Sequence, residues 1–83
     1  MTVQVRLFAR ARDLAGADRV SLVVPQGSTI ADLRRRLAQT LPMPGDFLGR
    51  CAVAVNDEIA GEEALLSPGA AIALLPPVSG GQA

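Results

Sequence analysis

The sequence predicts an α+β domain in two layers: a mixed sheet of four main strands, with at most a short fifth, packed on one helix. Three observations predict it. Residues 3–9, 19–25, 51–56 and 71–75 alternate side chains with the two-residue period of a strand. Between the second and third of these lies a run with helical spacing, Ile30, Leu33, Leu37 and Leu41. The whole chain has 83 residues, enough for one domain.

The first strand sets Val3, Val5 and Leu7 on one face and Gln4, Arg6 and Phe8 on the other. Residues 10–18 read as a connection, with a turn at Ala15-Gly16-Ala17-Asp18. The second strand sets Val20, Leu22 and Val24 against Arg19, Ser21 and Val23, and the two pair as a hairpin. After the loop Gln26-Gly27-Ser28-Thr29, either Ser28 or Thr29 caps the helix, and Asp32 sits near its positive end. Arg34, Arg35 and Arg36 form the solvated side of that helix. Pro42-Met43-Pro44-Gly45 ends it.

In the third strand Cys51, Val53 and Val55 oppose Ala52 and Ala54. Asn56-Asp57-Glu58 is a turn, residues 62–66 a single helical turn, and Ser67-Pro68-Gly69 a turn before the last strand. That strand lies most simply beside the first, in the middle of the sheet. Ile30, Leu33, Leu37, Val3, Val5, Val53, Val55, Ile72 and Leu74 are the expected core. The sheet face away from the helix is open. Phe8 and Leu75 point out on it beside the small Ala52 and Ala54, an apolar patch for docking a partner. Residues 1–75 form the domain and residues 76–83 a tail.

Composition narrows the function. A chain this short buries only about 60% of its unfolded surface, so interfaces matter to it. Its hydrophobic fraction is 49% with only two phenylalanines as aromatics, so the core is aliphatic. The formal charge is zero, which argues against a nucleic-acid or anionic-membrane footprint. No apolar run approaches the roughly 20 residues of a membrane span. The start, Met1-Thr2-Val3-Gln4-Val5, has no leader pattern, and Cys51 stands alone, so the expectation is a cytoplasmic protein. All eight basic residues are arginine. Two readings fit this: the codon bias of a GC-rich genome, or avoidance of amines near an activated terminus.

No residue set for catalysis appears. Without histidine there is no Ser-His-Asp or Cys-His arrangement, and no His-based or multi-cysteine metal site. Gly27-Ser28-Thr29 is too short for a phosphate loop. Adjacent Glu62 and Glu63 diverge, and Cys51 sits among apolar strand residues as core. The expectation is a domain with no active site of its own and no bound cofactor.

The tail is different. Pro76-Pro77 favours an extended backbone leading away from the domain. Gly80-Gly81 can pass a slot too narrow for a Cβ atom. At ~3.3 Å per residue, Pro76 to Gly81 reaches roughly 20 Å, enough to enter a partner's active site.

Leu74-Leu75-Pro76-Pro77-Val78-Ser79-Gly80-Gly81 resembles the ending of the molybdopterin synthase small subunit family, ubiquitin-like sulfur carriers of the MoaD/ThiS type. The segment from Leu7 to Gly16, Leu-Phe-Ala-Arg-Ala-Arg-Asp-Leu-Ala-Gly, resembles that family's first-strand motif, and Ala52-Val53-Ala54-Val55-Asn56 its third strand. The resemblance implies a β-grasp fold. It implies that Gly81 is adenylated by an ATP-dependent activating enzyme, converted to a thiocarboxylate, and inserted into the large synthase subunit to deliver sulfur to the pyranopterin precursor. In that scheme the chain is the small subunit of a sulfurtransferase in molybdenum cofactor biosynthesis. Pro76, Pro77, Val78 and Ser79 are the tether, Gly80 the slender neighbour, and Phe8 and Leu75 docking residues.

The family usually ends at the second glycine, whereas here Gln82-Ala83 follows it. Either a processing protease removes the dipeptide or the chain is not activated. Two alternatives therefore stand beside the first reading. One is a sulfur carrier for thiamine, cysteine or tRNA thiolation, after cleavage. The other is a ubiquitin-like interaction module whose tail is never activated.

Overall fold

The computed structural model describes residues 1–77. The elements run β1 (Thr2–Leu7), α1 (Ala9–Ala15), β2 (Arg19–Val23), α2 (Ile30–Thr40), α3 (Gly45–Arg50), β3 (Ala52–Val55), β4 (Glu58–Ile59) and β5 (Ile72–Leu75). The strands form one sheet in the order β2-β1-β5-β3-β4. β1 is antiparallel to β2 and parallel to β5, so the last strand lies centrally, as the sequence predicts. β3 runs antiparallel to both β5 and β4.

The core lies between one sheet face and α2. Val3, Val5, Leu7, Leu22, Val53, Ile72 and Leu74 face Ile30, Leu33 and Leu37, and all are buried. Each such side chain contributes roughly 1.5–3 kcal/mol by leaving water. Val55, expected in this set, is half-buried beside the turn that follows β3. α2 begins with a reciprocal cap: the Asp32 N–H donates to Thr29 Oγ1 at 3.3 Å, and the Thr29 N–H to Asp32 Oδ2 at 3.0 Å. Thr29, not Ser28, is therefore the cap; the Ser28 hydroxyl donates to the Pro25 carbonyl at 2.6 Å.

Four expectations need correction. The first strand stops at Leu7, because Ala9 takes a left-handed φ of 50° and turns the chain out of the sheet. Residues 10–18 are not a simple turn but carry α1, in which Ala, Arg and Leu are strong helix formers and Ala11 is fully buried. Gly16, at φ 73°, caps α1 by donating its N–H to the Arg12 carbonyl at 2.9 Å. The expected turn thus survives as the end of a helix, and β1 and β2 still pair.

Residues 62–66 form no helical turn. The carbonyls of Ala64 and Glu62 accept the Ile30 and Ala31 N–H groups, each at 3.0 Å. Leu65 bridges to Thr29. Residues 62 and 63 instead form a tight turn closed by the Ala64 N–H to the Gly61 carbonyl at 3.1 Å, and the bonds to Ile30 and Ala31 satisfy first-turn donors of α2 that have no partner inside the helix. Finally, the three arginines of α2 are not all solvated: Arg34 turns inward. Its Nη1 donates to the carbonyls of Leu48 and Cys51 at 2.6 and 2.7 Å, and its Nε and Nη2 reach Glu62.

Two elements were not expected or only allowed for. α3 buries Phe47 and Leu48 against the core. β4 is the short fifth strand. It follows a tight turn in which Asn56 and Asp57 have φ 52° and 71°, values that Asn and Asp tolerate better than most residues.

Candidate functional site

The pleat places the site. Since Val5, Leu7, Ile72 and Leu74 face α2, the residues between them face the other way. The register sets Leu75 beside Ala52, and Ala73 between Arg6 and Ala54. The hairpin pairing sets Ile59 beside Ala54. Alanines keep this part of the face low, so the larger Leu75 and Ile59 stand at its margins. Ala54 is nevertheless buried, flanked by the strands on either side.

Phe8 is not a strand residue; it is the extended residue before α1, with φ −126° and ψ 153°. It keeps the alternation of β1, so its ring lies on the same face as Arg6. One step past the Leu7–Leu74 pair, it comes level with Leu75. The Arg6 guanidinium lies 5.4 Å from the centre of the Phe8 ring, a cation–π contact that fixes the ring on this face. Phe8 remains 38% exposed and Ile59 66% exposed. Phe8, Leu75, Ala52 and Ala54 are thus brought together as the sequence predicts. Ile59 completes the strip and was missed. The signal for it was local: a hairpin through Asn56-Asp57 returns the chain with Ile59 opposite Ala54.

This strip borders the exit of β5. Pro76 and Pro77 follow Leu75 directly and are half-buried, with no regular structure of their own. Val78, Ser79, Gly80, Gly81, Gln82 and Ala83 lie outside the described residues. The tail root is therefore held on the central strand, next to the largest apolar side chains of the open face.

The other polar candidates have structural partners. The Cys51 thiol is buried and donates to the Phe47 carbonyl at 3.2 Å. Burial pushes its pKa up, against the pull of Arg34 and Arg50, so it stays a protonated core group. The Glu62 carboxyl is held below its ordinary range, first by the Arg34 hydrogen bond. Arg35 pairs with Asp32 on α2. Among the described residues, no helix is long and apolar enough to cross a membrane.

Known proteins share this layout. A model of the ThiS family matches residues 5–81, a span that includes Gly80 and Gly81. The molybdopterin synthase sulfur carrier subunit of Arabidopsis thaliana is 33% identical over 79 residues, covering 95% of this chain and 82% of that protein. The crystal structure of SAMP1 from Haloferax volcanii superposes with a TM-score of 0.81 at 27% identity, covering 96% of this chain and 99% of that one. A chain in the complex of subunits 1 and 2 of the molybdopterin-converting factor from Helicobacter pylori matches at 30% identity and a TM-score of 0.66, covering 96% and 99%. The fold is accordingly a ubiquitin-like β-grasp. Matched by the family model from β1 to the second glycine, and by a relative over nearly its full length, the chain belongs to the ThiS family.

Proposed function

We propose that this chain is the sulfur carrier subunit of a molybdopterin synthase. The observation that carries the reading is the junction at Leu75. A central strand ends on an exposed apolar strip and passes straight into Pro76-Pro77-Val78-Ser79-Gly80-Gly81. Residues 1–75 act as the docking body and residues 76–81 as the arm. The relative from Arabidopsis and the Helicobacter complex support the assignment.

The chemistry follows from what the chain lacks and what its tail offers. The carboxylate of Gly81 is a poor electrophile. An ATP-dependent adenylating enzyme joins it to AMP with release of pyrophosphate, and the bound AMP is then a good leaving group on the Gly81 carbonyl. A persulfide sulfur displaces AMP, and a second thiol takes up the S–S bond, leaving the Gly81 thiocarboxylate. The thiocarboxylate sulfur bonds to the pyranopterin precursor, and water then hydrolyses the acyl–sulfur bond, leaving the sulfur on the precursor and returning Gly81 as a carboxylate. Glycine at both positions keeps the reacting carbon uncrowded. ATP serves the activating enzyme, and this chain binds no cofactor of its own.

Phe8 and Leu75, joined by Ile59, dock the large synthase subunit and the adenylating enzyme in turn. In the written sequence Gly81 is linked to Gln82, so a protease must first cut after Gly81. We place the protein in the cytoplasm, where its lone thiol stays reduced.

The test is reconstitution. The Gly81 thiocarboxylate form, mixed with the large synthase subunit and the pyranopterin precursor, should yield the dithiolene product. Failure there, with sulfur transfer to a thiamine, cysteine or tRNA thiolation system instead, would assign the carrier to that pathway. The Gln82-Ala83 extension is the observation that keeps this second reading open.

A further inference from the structure

Arg6 and Arg19 stand directly opposite each other in the β1–β2 pairing. The Leu7 N–H donates to the Asp18 carbonyl at 2.9 Å, and the Val24 N–H to the Met1 carbonyl at 2.8 Å. Alternation along an antiparallel pair then makes Arg6–Arg19 a non-hydrogen-bonded pair, in which Cα atoms approach to about 4.5 Å and facing side chains come closest. Like charges in such a position repel.

Little nearby offsets this. Among the described residues, Arg6 meets the Phe8 ring and no carboxylate. Arg19 Nε lies 3.9 Å from Asp18 Oδ1, with the two side chains 61% and 74% exposed, so water screens that pair. The pleat puts both arginines on the open face. The other strand residues of that face are apolar, small or uncharged, and no carboxylate stands among them. A chain of zero net charge thus presents two adjacent cations beside its apolar strip, with no carboxylate among the described strand residues of that face.

We propose that Arg6 and Arg19 are a receptor for a carboxylate carried by the protein that docks on this face. The proposal rests on the reading that Phe8, Leu75 and Ile59 form the docking strip. A partner covering that strip removes water from the arginines beside it. Burying two guanidinium groups without a counter-charge is costly, so a purely apolar partner surface is disfavoured. An Asp or Glu placed between them accepts two charge-assisted hydrogen bonds and cancels their mutual repulsion. The partner surface is therefore apolar with an acidic residue at one side, set about two strands from the tail root. Such a pair also orients the approach, because the cations lie on one flank of the strip only.

The experiment measures binding of the chain to the large molybdopterin synthase subunit, with association rates taken from low to high sodium chloride. Arg19→Gln is the cleaner probe, since Arg19 is exposed and makes no contact with Phe8. The expected result is at least roughly tenfold weaker binding for Arg19→Gln, a larger loss for Arg19→Glu, and a flattened salt dependence in the Arg6→Gln/Arg19→Gln double variant. Urea midpoints near that of the parent show that the fold is intact. Suppose Phe8→Arg abolishes binding while the arginine variants bind like the parent with the same salt dependence. Then the docking strip stands and the carboxylate receptor is overturned. No binding by the parent chain itself overturns both. Titration with inorganic phosphate is the last arm. Saturable binding that depends on both arginines, with partner affinity unchanged, would identify a free-anion site and overturn the proposal.

Discussion

Arg34 on α2 and Glu62 on the loop after β4, 28 residues apart, meet in a two-point ion pair: Nε to Oε1 at 3.1 Å and Nη2 to Oε2 at 2.6 Å. The remaining nitrogen, Nη1, spans the carbonyls of Leu48 and Cys51. One guanidinium therefore ties the end of α3, the start of β3 and the loop after β4 to the central helix. Arg34→Ala leaves these carbonyls without their partner and should cost about 2–3 kcal/mol in urea denaturation. Arg34→Lys keeps the charge but not the fork, and should recover only part of that. An unchanged midpoint in Arg34→Ala would remove the clamp from this account.

The same contact predicts a pH dependence. The Glu62 carboxyl is held below its ordinary value of 4.5, by the Arg34 hydrogen bond first and its charge after, against mild desolvation. Asp32 is lowered too, chiefly by the Thr29 backbone N–H. A group depressed in the folded state stabilises fully above its unfolded pKa, and this stabilisation is lost as pH falls through the folded value. Stability should therefore fall on acidification below about pH 4.5. Glu62→Gln should be less stable at neutral pH and show a shallower fall in that window. Equal slopes for parent and variant would contradict this.

Leu33 and Leu37 are fully buried on the face of α2 that meets the sheet. Truncating either to Ala should cost ~2–5 kcal/mol, a large share of the stability of a domain this small. Thermal or urea unfolding checks it. A loss well under 1 kcal/mol at both positions would mean that the packing does not hold the fold as described.

Strong periodicity made the main frame legible. The strands of the sheet and α2 carried their faces in sequence, because one side of each is buried and the spacing repeats. The central position of β5 was legible too, since its apolar residues have no room at an edge. α1 was not, because the alternation of Val3, Val5 and Leu7 runs on in the sequence into Phe8 and Ala9. Only the left-handed Ala9 breaks it. Ala11 and Leu14, three apart, with Gly16 after them, were the available helix signal.

α3 had no usable propensity signal, since two of its six residues are glycine. Arg34 could not be separated from Arg35 and Arg36 in sequence. Its distinct role depends on carbonyls brought close by α3, an element that was itself unread. In the site, Phe8 and Leu75 were legible from strand alternation. Ile59 required knowing that the chain folds back after Asn56-Asp57.

The docking strip can be tested residue by residue. Phe8→Arg and Ile59→Arg, both at exposed positions, should leave the unfolding midpoint nearly unchanged. Each should weaken the complex with the large synthase subunit by at least ~2 kcal/mol. Val23→Arg, at an exposed position remote from the tail root, serves as the control and should bind normally. Loss of binding in the control, with none in Phe8→Arg or Ile59→Arg, would move the interface to the other end of the sheet.

The most direct test of the central claim compares two chains, one carrying Gln82-Ala83 and one ending at Gly81. Each is incubated with purified adenylating enzyme, ATP and a persulfide donor, and followed by AMP formation and intact mass. The account predicts that the form ending at Gly81 releases pyrophosphate, forms the acyl-adenylate, and exchanges one oxygen for sulfur. The extended form should do none of these until it is cut. Equal activation of both without cleavage would contradict the role of Gly81, and activation of neither would contradict the sulfur carrier reading itself.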